Sequence, residues 1–248
     1  MSDEKMIKKD KRIDGRKLDE LRPIEAKVGV LKKADGSAFF RLGNTMAIAG
    51  VFGPKKVHPR HAEEAEKAIL RTRYSMAPFS TETRSRPGHS RRSTEISLVT
   101  RQAIEPVLFL EEFPKTSIDV HIEILQADAS TRCVGINAAS LALADAGVPM
   151  RDLIASCSAG KVDSKIVLDI GGKEDTEGDL DLPVAYYPRK KLITLLQMDG
   201  LAKSDEVKKL IALAIQGCEK IYEKQKQALR KKYEFEEAKE LNKEEVKE

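Results

Sequence analysis

The sequence predicts a mixed α+β fold, and three patterns carry this prediction. Residues 118–124 alternate strictly between apolar and polar side chains, which is the pattern of a strand buried on one face. The pair Gly43-Asn44 separates two short apolar runs and predicts the turn of a β-hairpin. Residues 205–222 place their apolar side chains on one face of a helix. The chain is therefore expected to combine sheets with amphipathic helices.

In the first half, the predicted hairpin joins strands at 39–42 and 46–52. Helices are predicted at 62–71 and 93–108, and apolar residues recur at helical spacing in the second of them. Ser93 is a good N-cap for that helix, because its hydroxyl can accept a hydrogen bond from a free amide of the first turn. The alternating strand then completes this half of the chain.

The second half begins with a helix of small residues at 137–146, which Gly147 and Pro149 bring to an end. The helix at 205–222 completes this half, so a strand-then-helix order occurs twice along the chain. Further strands are predicted at 165–170, 184–187 and 192–198.

Composition places the chain among globular proteins. Its 248 residues are 41% apolar, which is too hydrophobic for a disordered polyelectrolyte, and the formal net charge is only +4. Charges concentrate at both ends of the chain. We therefore expect a charged N-terminal arm at 1–20, a single domain at 21–225, and a charged C-terminal tail at 226–248 that is helical or frayed.

Several classes of protein are excluded at this stage. The first residues are charged throughout, which argues against a signal peptide, and no apolar run reaches the length of a membrane span. The three cysteines lie far apart without C-x-x-C spacing, which argues against a zinc ribbon and favours a reducing compartment. A soluble cytoplasmic protein is expected.

Positive charge is concentrated in one segment. Residues 69–101 contain seven Arg and no Lys, against only Glu82 and Glu95. Arg91 and Arg92 stand just before the predicted helix start, where cations add to the positive end of the helix dipole. A guanidinium can pair phosphate oxygens through two parallel hydrogen bonds, so the exclusive use of Arg favours phosphate contact. A surface of ion pairs with the two Glu residues is the alternative.

A second candidate anion site lies between the alternating strand and the small-residue helix. Residues 128–132 read Asp-Ala-Ser-Thr-Arg. A strand–turn–helix junction presents free backbone N–H groups, the hydroxyls of Ser130 and Thr131 add donors, and Arg132 adds a positive charge. These groups together predict a binding site for one phosphate. Ordinary N-capping by Ser130 or Asp128 is the alternative.

Five carboxylates are crowded between two predicted strands. Residues 174–181 read Glu-Asp-Thr-Glu-Gly-Asp-Leu-Asp, and such crowding raises carboxyl pKa values unless cations intervene. Carboxylate oxygens suit Mg²⁺ or Mn²⁺, which proteins hold through one or two carboxylates together with waters and substrate phosphates. A solvated turn is the alternative. Elsewhere, His58 and His61 lack metal-site spacing, and with Arg60 they are interpreted as a basic loop.

The order of these motifs resembles the ribonuclease PH family, and within it the phosphorolytic subunits of archaeal exosomes. The resemblance runs from Arg12 to about Glu223. Its matching stretches are Arg-Ile-Asp-Gly-Arg at 12–16, Leu-Arg-Pro at 21–23, Gly-Asn-Thr at 43–45, Arg-Arg-Ser-Thr-Glu-Ile-Ser at 91–97, the turn at 128–132, and Glu174-Asp175 with Asp181.

The resemblance implies a fold of two related βαβ-type halves that share one domain and assemble into a hexameric ring. It implies a 3′-to-5′ exoribonuclease that degrades RNA by phosphorolysis and releases nucleoside 5′-diphosphates, as the catalytic subunit of an exosome. The implied partners are single-stranded RNA, a homologous non-catalytic subunit in a heterohexamer of three dimers, and an RNA-binding cap subunit. Inorganic phosphate would be the co-substrate, and Mg²⁺ or Mn²⁺ the metal cofactor.

The resemblance also assigns residue roles. It implies the catalytic and metal-binding carboxylates Asp175 and Asp181, the phosphate-binding residues Ser130, Thr131 and Arg132, and the RNA-binding residues Arg91, Arg92 and Arg60. The sequence does not decide whether Asp175 is a general acid or a metal ligand. A non-catalytic RNA-binding ring subunit and a metal-dependent hydrolytic nuclease are the alternative functions. One departure is that the turn reads Ala-Ser-Thr-Arg where bacterial members of the family have Gly-Gly-Thr-Arg.

Overall fold

Two β-sheets, one from each half of the chain, organise the fold, so the expected α+β class is confirmed. The computed structural model describes residues 6–7 and 11–245, with side chains described as far as residue 234. The expected arm at 1–20 and tail at 226–248 therefore lie partly outside the described residues, namely at 1–5, 8–10 and 246–248.

The first sheet has five strands in the order β1-β2-β3-β5-β4, and all neighbours are antiparallel except the parallel pair β4 and β5. Helix α1 (Arg91–Ile104) connects these two parallel strands, as a parallel pair requires a crossover. Gly43-Asn44 forms the predicted hairpin turn between β2 and β3. The strands are β1 (Ile24–Val28), β2 (Gly36–Leu42), β3 (Thr45–Lys56), β4 (Ile69–Met76) and β5 (Thr116–Gln126).

Helix α2 (Thr131–Asp145) follows β5 and leads into the second sheet. This sheet has the order β10-β8-β6-β7, and β9 also pairs with β8; every pairing is antiparallel. A short helix, α3 (Lys173–Glu177), stands between β7 and β8, and the long helix α4 (Ser204–Glu245) ends the described chain. The strands are β6 (Ala155–Val162), β7 (Lys165–Leu168), β8 (Leu180–Tyr187), β9 (Leu192–Leu196) and β10 (Asp199–Gly200).

Helix α2 is buried on all sides, and one apolar cluster packs around it from both halves of the chain. Its polar residue Asn137 donates to the Ser156 carbonyl at 2.8 Å and accepts from the Ser156 N–H at 2.8 Å. Gln225 of α4 donates to the Asn137 carboxamide oxygen at 3.3 Å. Because buried polar groups are costly without partners, these bonds fix the axial position of α2 against β6 and α4.

Two predicted helix starts were wrong. Helix α1 begins at Arg91 rather than Ser93, because Ser90 is the N-cap: its hydroxyl accepts from the Ser93 N–H at 3.0 Å, and the Ser93 hydroxyl accepts from the Ser90 N–H at 2.8 Å. This reciprocal pair is a capping box made by two serines. Helix α2 begins at Thr131 rather than at residue 137, directly after a left-handed turn at Ala129 and Ser130.

The helix predicted at 62–71 was also wrong. The segment contains a single 3₁₀ turn, Arg60–Ala62, and then enters β4 at Ile69. Strand β4 pairs with β5 along its whole length, from Ile69 opposite Ser117 to Met76 opposite Ile124. Each partner residue in β5 lies 48 positions later in the chain, so tertiary pairing overrides the local helical signal. Strands β1, β6 and β10 were not predicted either.

The other predicted strands were confirmed: β5 covers 118–124, β8 contains 184–187, and β7 and β9 occupy most of 165–170 and 192–198. Helix α4 begins one residue before the predicted start at 205 and continues without interruption to Glu245. Within the described part of the chain, no helix combines the length and apolar character needed to cross a membrane.

The contacts at Gly36 show how closely β2 approaches α2. A Cβ atom at this position would lie 2.2 Å from the Ala146 backbone nitrogen and 2.5 Å from the Ala142 carbonyl oxygen. We expect Gly36→Ala to lower the free energy of unfolding by about 3 kcal/mol, because backbone atoms would have to move apart. Urea denaturation measures this loss. In the control Gly50→Ala the nearest atom is the flexible Leu31 side chain at 3.3 Å, so a loss below about 1 kcal/mol is expected. Equal losses would contradict the close approach.

Candidate active site

A cavity of about 560 Å³ opens beside the N-terminus of α2. Its walls come from α1, α2, α3, β8 and the segment after β9, so both halves of the chain contribute to it. Six of the eight residues predicted for the site line it: Arg92, Ser130, Thr131, Arg132, Asp175 and Asp181. A second cavity, of about 510 Å³, touches the same turn at Asp128 but contains none of the eight.

The turn that enters α2 has an unusual backbone. Ala129 and Ser130 both lie in the left-handed region, with φ of 63° and 52°. This conformation costs non-glycine residues about 1–2 kcal/mol each, so surrounding contacts must hold it. Thr45 does so from the hairpin: its hydroxyl hydrogen-bonds the carbonyl oxygens of Asp128 at 2.9 Å and Ala129 at 2.8 Å, and the Asp128 N–H at 3.1 Å. The need for positive φ means that glycine, which has no Cβ atom, would suit these two positions.

Ordinary capping does not explain the turn. The Ser130 side chain makes no capping bond to α2. Its hydroxyl instead hydrogen-bonds the Ser158 hydroxyl and the Ile170 carbonyl, each at 2.9 Å. Asp128 is engaged elsewhere, because its carboxylate accepts from the Asn44 side chain at 3.1 Å. The first-turn amides of α2, which have no partner within a helix, are therefore available to an anion, and we call this end of the helix the candidate anion-binding end.

An arginine of the neighbouring helix α1 reaches the N-terminus of α2. Arg92, at the second position of α1, extends towards α2, and its guanidinium lies 3.5 Å from the Thr131 hydroxyl. Tyr74 of β4 lies beneath this pair, and burial raises the pKa of its hydroxyl. Arg92 therefore lies close to the N-termini of both helices. Its charge adds to the positive electrostatic potential at the place where an anion would bind.

Arg132 is held by two residues, of which the sequence analysis missed one. Its guanidinium pairs with the Glu95 carboxylate at 3.3 Å and donates to the Gln197 side-chain oxygen. The Gln197 amide in turn donates to Glu95 at 2.8 Å. Glu95 is the acidic partner that the ion-pair alternative anticipated. Nothing in the local sequence distinguishes Gln197, since only the pairing of β9 with β8 brings it to the cavity.

The acidic wall is built by Asp175 of α3 and Asp181 of β8. Burial raises the pKa of Asp175, while the charges of Arg92, Arg22 and Arg132 oppose the rise. Burial, followed by repulsion from Asp175, raises the pKa of Asp181 to about 7, with Arg132 opposing. One carboxylate oxygen of Asp181 is buried without a hydrogen-bond partner. Asp181 therefore retains a proton near neutral pH, and the neighbouring charge of Asp175 contributes to this.

Other carboxylates of the acidic run make different contacts. Glu174 is buried and pairs with Arg12, whereas Asp179 is exposed and accepts from the Ser164 N–H at 3.3 Å. A solvated turn thus describes only part of the run. Among the described residues, no group of three or more His, Cys, Asp or Glu side chains could hold a metal ion. Five carboxylates line the cavity, namely Asp175 and Asp181 together with Glu95, Asp179 and Asp199, and a metal with fewer protein ligands could use members of this set.

Two predicted residues lie outside the cavity. Arg60 is exposed in the 3₁₀ turn after β3, and Arg91 is exposed at the first position of α1. Neither side chain lines the cavity wall, although Arg91 is adjacent in sequence to Arg92, which does.

Comparison with protein families gives two adjoining matches. The model of the 3′ exoribonuclease family, domain 1, matches residues 20–149, and that of domain 2 matches residues 152–217. The chain is 58% identical over 223 residues to "Exosome complex component Rrp41" of Thermococcus kodakarensis, which covers 90% of both chains. It is 52% identical over 231 residues to the component of that name from Methanopyrus kandleri, covering 93% of this chain and 97% of the relative.

Solved structures share the fold. Rice Rrp46 superposes with a TM-score of 0.80 at 22% identity and covers 88% of this chain and 100% of its own. A chain from the Archaeoglobus fulgidus exosome with RNA bound to the active site gives a TM-score of 0.76 at 25% identity, covering 86% of this chain and 92% of its own.

The raised pKa of Asp181 predicts a pH-dependent loss of stability. The folded protein holds this proton up to about pH 7, whereas an unfolded chain releases it near the ordinary aspartate pKa of 3.8. The free energy of unfolding should therefore fall as pH rises between these values. Asp181→Asn removes the free-energy cost of ionising this carboxyl in the folded state. We therefore expect the free energy of unfolding of the variant to exceed that of wild type by about 3 kcal/mol near pH 8 and to equal it near pH 4.

Urea denaturation across this pH range, in buffer with chelator, measures the difference. Asp179→Asn is the matched control, because the exposed Asp179 carboxylate belongs to the same acidic run. It should not reproduce the pH-dependent gain. A gain for Asp181→Asn that stays constant with pH would contradict the assignment.

Proposed function

The chain belongs to the 3′ exoribonuclease family of ribonuclease PH proteins, and on that premise we propose that it degrades RNA from the 3′ end by phosphorolysis as the catalytic subunit of an exosome ring. The observation that carries the proposal is one shared cavity. It joins the candidate anion-binding end of α2, with Thr131 and Arg132, to the carboxyls of Asp175 and Asp181.

The reaction brings two anions together. An oxygen of inorganic phosphate attacks the phosphorus of the last phosphodiester, and a new P–O bond forms as the bond to the 3′ oxygen breaks. The products are a nucleoside 5′-diphosphate and an RNA that is one nucleotide shorter. Arg132 and the first-turn amides of α2 offset the repulsion between the anions and orient the attacking phosphate. The Arg132 guanidinium must exchange part of its contact with Glu95 for this phosphate.

The departing 3′ oxygen needs a proton, and the carboxyl pair can supply it. Asp175 is the more exposed member of the pair, so we assign proton delivery to Asp175. The charge of Asp175 raises the pKa of its buried neighbour Asp181, so the pair keeps a proton near neutral pH, where general acids work best. The three arginines whose charges act on Asp175 stabilise the negative charge left after transfer.

In their deprotonated form the same carboxyls would instead fit a hard divalent cation, which is the alternative role of Asp175. The buried Asp181 oxygen has no hydrogen-bond partner, and Asp175 and Asp181 together provide the two carboxylates through which proteins hold Mg²⁺ alongside substrate phosphates. A bound Mg²⁺ or Mn²⁺ would supply charge neutralisation for the phosphate oxygens.

RNA is proposed to approach along the arginine-rich side of α1. Arg92 lines the cavity and Arg91 precedes it, so the two guanidiniums can contact successive backbone phosphates. Arg60 lies apart from the cavity and would contact RNA farther from the 3′ end. Such contacts read no sequence, in keeping with an enzyme that degrades RNA regardless of its sequence.

The partners follow from the relatives. The similar proteins from Thermococcus and Methanopyrus are exosome components, and one similar structure is an exosome with RNA at its active site. These matches support a ring assembly. We propose that it is a heterohexamer of three dimers with a homologous non-catalytic subunit, covered by an RNA-binding cap.

Product analysis tests the reaction. The chain, reconstituted with a co-expressed homologous subunit, should release nucleoside diphosphates from single-stranded RNA in Mg²⁺ at a rate that rises with inorganic phosphate. Asp175→Asn should reduce this release by about 10³-fold, because the proton donor is lost, while RNA still binds. Chromatography identifies the products, and gel shift measures the binding.

Each alternative has its own outcome. The control Glu177→Gln should keep full activity, since this exposed carboxylate belongs to the same acidic run but lies outside the cavity. Release of monophosphates independent of phosphate would indicate a hydrolytic nuclease. RNA binding without product in wild type and variant alike would indicate a non-catalytic ring subunit. Either result rejects phosphorolysis.

Salt dependence tests the arginines. For single-stranded RNA, the logarithm of the binding constant should fall with the logarithm of salt concentration by about 0.7 per phosphate contacted. Arg92→Ala should reduce this slope by about 0.7, as one phosphate contact is lost. Arg189→Ala is the matched control: Arg189 is exposed and outside the cavity, so the slope should stay unchanged. An unaltered slope in Arg92→Ala would contradict the phosphate contact.

A further inference from the structure

Two motifs outside the cavity wall, the stretches 12–16 and 21–23, place charged side chains in the interior behind the active site. Arg12 is 3% exposed, Arg22 6%, and their partners Asp169 and Glu174 are 0% and 4% exposed. Burying four charged side chains costs free energy unless each is paired with an opposite charge. The contacts of these four side chains show how that cost is offset.

One end of the pairing holds the turn that enters α2. The Arg22 guanidinium donates to the Asp128 carbonyl at 2.6 Å, immediately before the left-handed residues. Its other nitrogens donate to both carboxylate oxygens of Asp169, at 2.9 and 2.7 Å. Arg22 therefore ties the phosphate turn of the first half to a buried carboxylate of the second half.

The other end holds the helix that carries Asp175. The Arg12 guanidinium makes a two-pronged contact with Glu174, through Nε at 2.8 Å to one oxygen and through Nη2 to the other. Glu174 directly precedes Asp175 in α3, which is only five residues long. A helix this short cannot maintain itself, so its position depends on such external contacts.

Asp169 joins the two ends. Its carbonyl oxygen accepts from Arg12 at 2.8 Å and from Arg16 at 3.1 Å, while its carboxylate accepts from Arg22. The pairs therefore form one continuous path from the turn to α3. We call it the buried bridge, and its members are Asp128, Arg22, Asp169, Arg12 and Glu174.

We infer that the buried bridge sets the spacing between the phosphate-binding turn and Asp175, so that Arg12 and Arg22 are positioning residues for the reaction. The inference rests on the proposed function. The turn and α3 lie far apart in the chain, and phosphorolysis requires their side chains to meet around one phosphorus atom. A displacement of about 1 Å in such a site can reduce the rate by about 10²-fold. Besides the bridge, the Ser130 hydroxyl bond to the Ile170 carbonyl joins the same regions, so a broken bridge loosens them without separating them.

Two variants break the bridge at opposite ends. Arg22→Lys keeps the charge but cannot make the forked contact with Asp169 while reaching Asp128. Glu174→Gln keeps the shape but removes the charge that faces Arg12. The matched control is Glu206→Gln, which breaks the 2.7 Å pair between Lys161 of β6 and Glu206 of α4, outside the cavity. All are made in the full chain with its ring partner and compared where circular dichroism shows each to be folded.

Kinetics separates positioning from stability. In Arg22→Lys we expect the KM for inorganic phosphate to rise about tenfold with a smaller change in kcat, because the phosphate seat has moved. In Glu174→Gln we expect kcat to fall by up to about 10²-fold with the phosphate KM nearly unchanged, because Asp175 has moved. Glu206→Gln should keep both constants. If both bridge variants keep wild-type kcat and KM while folded and merely melt at lower temperature, the inference is overturned.

Hydrogen exchange supplies a readout that does not depend on catalysis. We expect amides at 128–133 to exchange faster in Arg22→Lys and those at 171–178 to exchange faster in Glu174→Gln, while peptides from β3 keep wild-type rates. Uniform acceleration over the molecule, or no change at the two ends, would overturn the inference. If wild type shows no phosphate-dependent release, the proposed function fails, and the exchange result alone still decides whether the bridge holds the two ends.

Discussion

The site depends first on the close packing of α2 between the two halves of the chain. Small side chains along this helix let the backbone of β2 approach so nearly that Gly36 has no room for a Cβ atom. Asn137, bonded in both directions to the Ser156 backbone, prevents the helix from sliding along its axis. Since the N-terminus of α2 is the candidate anion-binding end of the cavity, the core that stabilises the fold also determines where the proposed anion site lies.

The cavity brings basic and acidic side chains together, and this arrangement lowers the stability of the fold. Burial and the neighbouring Asp175 raise the pKa of Asp181, so this carboxyl is strained in its ionised form. Two left-handed residues precede α2, and they persist because Thr45 and Arg22 bond the carbonyl groups of the turn. Local strain and unfavourable ionisation of this kind are tolerated where the surrounding structure fixes them, and they concentrate at functional sites.

Residue types and their order were sufficient to predict most of the cavity. An arginine pair before a helix, a Ser-Thr-Arg turn and a crowded acidic run each specify a local chemistry, and the structure brings Arg92, Arg132, Asp175 and Asp181 to one cavity. The same reasoning could not find Gln197, which has no chemical signature, or divide the acidic run between the buried Glu174 and the exposed Asp179. Those assignments depend on which strand pairs with which.

The sequence by itself determined the α+β class, the Gly43-Asn44 hairpin and the alternating strand, because periodicity and turn chemistry act over a few residues. Only the tertiary structure decided that 69–76 is a strand, because its partner β5 lies far along the chain and the pairing overrides local helical preference. It also decided the role of the N-terminal arginines. Arg12 lies in the charged arm and Arg22 directly after it, and their burial follows from carboxylates that folding brings from more than a hundred residues away.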